Sequence, residues 1–110
     1  MENWLNRTEL LIGKESLNKL ASSTIVVFGC GGVGSYVIEG LVRSGICNLI
    51  VVDNDVVDIT NINRQLIADI TTIGKPKVEV IKERALNINP NINITTYQEF
   101  ADISNFGNII

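Results

Sequence analysis

Seven residues, Gly29-Cys30-Gly31-Gly32-Val33-Gly34-Ser35, constrain this chain more than any other stretch because of what flanks them. Before them runs Thr24 to Phe28, a β-branched segment with an aromatic end, which reads as a buried strand closed by Gly29. After them Val33, Val37 and Leu41, with Ile38 and Val42 beside them, recur at three- and four-residue steps, and Gly45 supplies a stop. A GxGxxG loop between a strand and a helix is the phosphate-binding turn of a Rossmann-type unit. Gly29, Gly31, Gly32 and Gly34 would let backbone N–H groups approach an anion, and the helix N-terminus adds partial positive charge. The competing explanation is that the glycines serve strand–helix packing alone.

Leu49 to Val52 is a second continuous apolar run, ended by Asp53. Strand, helix and strand over about thirty residues form the right-handed crossover of a parallel sheet. A carboxylate at Asp53, about twenty residues past the glycine loop, stands where ribose hydroxyls are bound in such units. Pro76 then opens a helix with an apolar face of Val78, Ile81, Ala85 and Ile88, ending near Asn89-Pro90. Ile92 and Ile94 alternate with asparagines into Thr95 and Thr96 as a half-exposed third strand. The fold class is α/β: a Rossmann-like parallel sheet, a β-α-β-α-β half in the order 3-2-1. One or two short N-terminal helices, broken at Gly13, are expected to pack on the core between Leu10 and Leu20. The tail from Ala101 reads as a short helix and the start of a strand.

That order leaves the first strand at an edge, and complete proteins cover long apolar edges. Residues 1–110 are therefore expected to be the N-terminal nucleotide-binding half of a larger domain.

Between Asn54 and Ile73 the periodicity fades into a polar connection, longer than packing needs, where function is expected. Asp53, Asp55 and Asp58 bring three carboxylates together, with a solvated acidic turn as the plain alternative for the last two. Thr60-Asn61-Ile62-Asn63-Arg64-Gln65 follows, with a guanidinium suited to phosphate oxygens. Gly74-Lys75-Pro76-Lys77 puts two cations at a helix start, where the macrodipole disfavours them. A bound triphosphate would supply the missing anion. Glu39 and Arg43, four residues apart, read as a surface pair.

Composition sets outer bounds. With 110 residues, 45% hydrophobic, the chain is sized for one core, and no apolar run approaches a membrane span. A soluble cytoplasmic protein with no membrane partner is expected. A net charge of −3 argues against broad adhesion to nucleic acid. Two cysteines without CxxC spacing, in a chain with no histidine, give no zinc site. Cys30 reads as a small packing residue, although a thiol at a helix start invites a redox or thioester role.

Glycine loop, Asp53, Asn61-Ile62-Asn63-Arg64-Gln65 and Gly74-Lys75-Pro76-Lys77, in that order and spacing, resemble the adenylating family that includes ubiquitin-activating enzymes and the molybdopterin- and thiamine-pathway sulfur-carrier adenylyltransferases. The resemblance runs from about Arg7 to Thr96. Glu39-Gly40-Leu41, Arg43-Ser44-Gly45 and residues 60–65 most resemble the branch that dehydrates threonylcarbamoyladenosine in tRNA; sulfur-carrier enzymes more often carry glutamine where Asn63 stands. The resemblance implies an ATP-dependent enzyme that activates a carboxylate, with tRNA as partner. It implies nucleotide contacts from Gly32 and Asp53 and phosphate contacts from Asn61, Arg64 and Lys77, the last two catalytic; the residues themselves add Gly29, Gly31 and Gly34 of the loop and the Asp55 carboxylate as nucleotide-binding candidates. It further implies a homodimer in which an N-terminal arginine reaches the neighbour's ATP; Arg7 is present, but Leu10 stands where a second arginine is common. The implied Mg²⁺ would be held by an aspartate beyond residue 110, so no metal ligand is assigned here. Two other readings keep the same loop: adenylation of a ubiquitin-like sulfur carrier, and an NAD-binding oxidoreductase or sensing domain.

Overall fold

A computed structural model of the chain describes residues 3–100 and Gly107. Two short helices, α1 (Asn6–Ile12) and α2 (Lys14–Ser22), lead into strand β1 (Thr24–Phe28). Helix α3 (Gly32–Ser44), strand β2 (Asn48–Val52), helix α4 (Lys77–Ile88) and strand β3 (Asn93–Tyr97) complete the order. The three strands are parallel with β2 in the middle, and Ile50 lies between Val26 and Thr95. This is the expected 3-2-1 half-sheet with β1 at an edge.

Parallel neighbours need a crossover, and each crossover here carries one helix. Ile25, Val27, Leu49, Val51 and Ile94 on the strands meet Ile38 and Val42 of α3 and Val78, Ile81 and Ala85 of α4 in one core. β3 is half-exposed as expected, with Ile94 inside and Asn93 and Thr95 outside.

The face that α3 turns inward is only part of the expected one: Ile38 and Val42 are buried and Leu41 packs on the core, but Val33 and Val37 are not inside. Its buried residues are Ser35, Ile38 and Val42, while Val33 is 80% exposed and Val37 45%. Both stripes obey helical spacing, so periodicity alone could not choose between them. Close approach at the helix start decides. A Cβ on Gly34 would stand 2.1 Å from the Gly29 carbonyl oxygen, so the first turn is pressed onto the end of β1 with its Gly34–Ser35 side inward. Ile38 and Val42 continue that side.

The N-terminal helices also depart from expectation. Neither α1 nor α2 buries a residue, and Leu10 and Leu11 are almost fully exposed. Elements this short, with few apolar residues on a single face, have little to bury. They touch the body at points: methyls of Leu5 and Leu17 lie 3.3 and 3.7 Å from where a Gly45 Cβ would be. The Asn48 amide donates to the Ala21 carbonyl at 3.2 Å.

The long connection from β2 to α4 is tied at its base. Val57 N–H donates to Lys75 O at 2.8 Å, Gly74 N–H to Val57 O at 2.8 Å, and Lys77 N–H to Asp55 O at 3.0 Å. Val56 and Pro76 form an antiparallel bridge there. Val57, Ile67 and Ala68 plug the loop into the main core. Opposite it, Glu39 of α3 accepts from Arg84 of α4 through Nε at 3.0 Å and also through Nη2. Arg43 stands 3.6 Å from the same carboxylate. Glu39 and Arg43 were expected to form a pair on one helix; Arg84 makes the group a tie between helices. The expected helix and strand after Ala101 lie outside the described residues, apart from Gly107.

Candidate nucleotide site

The four glycines of the loop divide by what a side chain would meet. Gly29 has φ +101°, which L side chains rarely adopt, and Gly34 is pressed on Gly29, so both are required by the chain itself. Gly31 and Gly32 are different. A Cβ on Gly32 would meet nothing within 4 Å, and one on Gly31 only the Gln65 Nε2 at 3.7 Å. Neither has a positive φ. Packing explains half of the motif, and the other half leaves open space at the N-terminus of a thirteen-residue helix. Backbone N–H groups there have no helical partner and attract an anion.

Asp53, at the end of β2, holds this loop. Its Oδ2 accepts the Cys30 N–H at 2.7 Å and its Oδ1 the Asp55 N–H at 2.7 Å. Each oxygen keeps lone-pair capacity for a further donor such as a hydroxyl. Cys30 is fully buried, and burial pushes its thiol up to about 12; Asp53 adds to the rise and Lys77 opposes it. A thiol so held is buried and protonated, the opposite of the exposed, low-pKa setting of a reactive cysteine.

Lys77 is 5% exposed at the start of α4, with its Nζ 3.7 Å from Asp55 Oδ2. Its compensating anion is therefore already in the chain, where a triphosphate was expected to supply it. Asp55 is itself mostly exposed, whereas the Lys77 side chain is almost wholly covered.

Asp58 and Asn61 are occupied with loop structure. Asp58 Oδ1 accepts from the Thr60 N–H at 2.9 Å and the Thr60 hydroxyl at 2.7 Å, and Asn61 Oδ1 accepts the Asp58 N–H at 2.8 Å. This reciprocal capping box opens the 3-10 turn Ile59–Asn61, and the Thr60 hydrogen bonds hold the Asp58 carboxyl below its ordinary value. Asn61 has its amide hydrogens left to offer. Arg64 is exposed, with Nη1 donating to the Thr60 carbonyl at 3.0 Å and to Asn63 Oδ1 at 3.1 Å. Those contacts use one corner of the guanidinium.

Gln65 belongs to the polar cluster and to the Asn61–Gln65 motif, with no site role assigned from sequence. It is 7% exposed, its Nε2 lies beside Gly31, and its Oε1 is buried without a hydrogen-bond partner. Leaving such an acceptor unmet costs about 1–3 kcal/mol. Nothing in its immediate sequence signals that burial. Among the described residues no group of three acidic or sulfur side chains could hold a metal ion.

The model of the ThiF family matches residues 5–110. The chain belongs to the ThiF family. This ThiF-family chain is 46% identical, over 93% of its length, to a tRNA threonylcarbamoyladenosine dehydratase of Bacillus subtilis. It resembles the crystal structure of the E. coli tRNA N6-threonylcarbamoyladenosine dehydratase in complex with ATP, with a TM-score of 0.92 and 38% identity over 94% of the chain. An adenylyltransferase and sulfurtransferase of Vanderwaltozyma polyspora is 38% identical over 84% of the chain. The chain spans 44%, 43% and 21% of those three proteins respectively.

Proposed function

We propose that residues 1–110 form the nucleotide-binding half of an ATP-dependent enzyme that activates a carboxylate, and that the carboxylate belongs to threonylcarbamoyladenosine in tRNA. The observation that carries the reading is the open space at Gly32, taken with the buried ammonium of Lys77 and the Asp53 carboxylate that holds the loop. A phosphate chain fits the first two and ribose hydroxyls the third. Identity to the Bacillus subtilis dehydratase supports the choice of substrate.

In the reaction a carboxylate oxygen attacks a phosphorus of ATP, a P–O bond to the departing phosphate group breaks, and a mixed anhydride forms. A nitrogen of the same modification then attacks the activated carbonyl, closing a ring and expelling the phosphate-bearing group. Two anions must first approach each other. Lys77 and Arg64 offset that repulsion and stabilise charge on the phosphoryl oxygens, and Asn61 offers amide hydrogens to the same oxygens. The ring closure is intramolecular, so activation is the demanding step. Mg²⁺ belongs to this reading, and the described residues offer it no group of three ligating side chains. A homodimer with Arg7 reaching the neighbouring nucleotide, and a cytoplasmic setting, complete the proposal; no helix among the described residues is long and apolar enough to cross a membrane.

A second reading, adenylation of a ubiquitin-like sulfur carrier, draws support from the Vanderwaltozyma polyspora relative. The full-length protein separates the two: ATP consumption that depends on threonylcarbamoyladenosine-bearing tRNA is expected, and consumption that depends on a small carrier protein instead would replace it. Thermal stabilisation by ATP or AMP should exceed that by NAD, and the reverse order would return the loop to dinucleotide binding. Lys77→Ala and Arg64→Ala should each lower turnover by about 10²–10³-fold in a folded protein. Near-normal rates would remove either residue from the site.

A further inference from the structure

The glycine loop and the polar connection that follows β2 are separate in sequence, and one side chain joins them. Gln65 is more than nine-tenths buried, and its Nε2 is the atom that a Gly31 Cβ would meet first, at 3.7 Å. Its backbone closes the turn: the Gln65 N–H donates to Asn61 O at 2.9 Å, and its own carbonyl accepts from Ala68 N–H at 3.0 Å. The side chain therefore issues from the turn that carries Asn61 and Arg64 and ends under the loop that carries Gly31 and Gly32. Its Oε1 has no partner.

We propose that Gln65 is a positioning residue of the nucleotide site, whose carboxamide docks the Asn61–Gln65 turn against Gly31 so that the loop N–H groups and the Arg64 guanidinium face one phosphate chain. The argument starts from cost. A buried amide with one end unspent is worse than an apolar side chain of the same shape unless its polarity has a use. Here Nε2 is a donor beside the space left by two glycines, pointing the same sign of charge at it as the backbone N–H groups do. Arg64 is the preceding residue in the chain, so a shift of the turn that takes Gln65 off Gly31 carries the guanidinium with it.

This inference rests on the nucleotide reading, and the test separates the two. ATP and adenosine are titrated by calorimetry into the full-length protein as wild type, as Gln65→Met and as Gln65→Glu. Methionine keeps the length and loses both polar ends; glutamate keeps the shape and replaces the donor by a charge. Gln65→Met should weaken ATP by about tenfold or more while adenosine changes by less than about twofold. Gln65→Glu should weaken ATP further, again sparing adenosine, because a carboxylate repels phosphate. A residue that only supported the fold would weaken both ligands together, and that result overturns the proposal, as does ATP binding unchanged in Gln65→Met. If methionine prevents folding, the glutamate variant alone decides by the same comparison. Wild-type protein that binds ATP no better than adenosine overturns the nucleotide reading and this inference with it.

Discussion

A methyl group added at Gly32 and one added at Gly34 would land in different worlds, although the residues are two apart. At Gly34 it strikes the Gly29 carbonyl at 2.1 Å, so Gly34→Ala should lower stability by about 1–3 kcal/mol or unfold the chain, read by urea denaturation. At Gly32 it meets nothing, so Gly32→Ala should leave stability within about 1 kcal/mol while ATP affinity falls about tenfold. Equal losses of stability would mean that the open space is not a ligand's. Cys30 supplies a second prediction. Its thiol is raised in the folded chain, so it binds a proton more tightly than the unfolded thiol does. That contribution to stability is intact below the ordinary thiol value, about 9, and is lost as pH rises through about 12. A thiol reagent at pH 8 should therefore modify the half-buried Cys47 well before Cys30, with both reacting in denaturant; rapid native labelling of Cys30 would contradict the burial. The sequence names the residue types of the candidate site. It could not show that Asp55 already accompanies Lys77, or that Asn61 spends its carbonyl on Asp58, because those are facts of folding back.

Boundaries of β1, α3, β2 and α4 were legible because each rests on local pattern: β-branched runs for the strands, three- and four-residue steps and Pro76 or Gly45 for the helices. What each helix faces was not. The two apolar stripes of α3 differ by one step around the helix, and the contact that chooses between them, Gly34 on Gly29, becomes visible only in three dimensions. Glu39 shows the same limit. Its neighbour at four residues, Arg43, was evident, yet the stronger partner is Arg84 on α4, far along the chain. Glu39→Gln should cost about 1–2 kcal/mol, since the carboxylate is largely buried and Arg84 is partly solvated. Arg43→Gln, on the exposed side of the group, should cost less than about 0.5 kcal/mol. A double-mutant cycle with Arg84 reads the tie directly, and no coupling between Glu39 and Arg84 would reduce it to a surface contact.

At the level of the whole chain, the order of the sheet was recoverable because the crossover rule leaves few alternatives, whereas the cover of its surfaces was not. Val33 and Val37 on α3 and Leu10 and Leu11 on α1 stay exposed, although the spacing of apolar residues places these segments against the core. The sheet order also has a kinetic meaning. Val26 finds Ile50 across one helix, whereas Ile50 finds Thr95 only after a connection nearly twice as long has been closed, tied loop included. Contacts that close the shorter loop form at lower entropic cost, so β1, α3 and β2 are expected to assemble in the transition state, with β3 docking afterwards. Ile94→Val should then act chiefly by speeding unfolding, and Val51→Ala chiefly by slowing folding, in stopped-flow chevrons. The reverse pattern would place the nucleus around α4 instead. If the order holds, the glycine loop and the Asp53 carboxylate that fastens it are in place before the turn bearing Arg64 arrives, so a chain emerging from a ribosome would shape that loop while the Arg64 turn is still waiting for a surface to dock on.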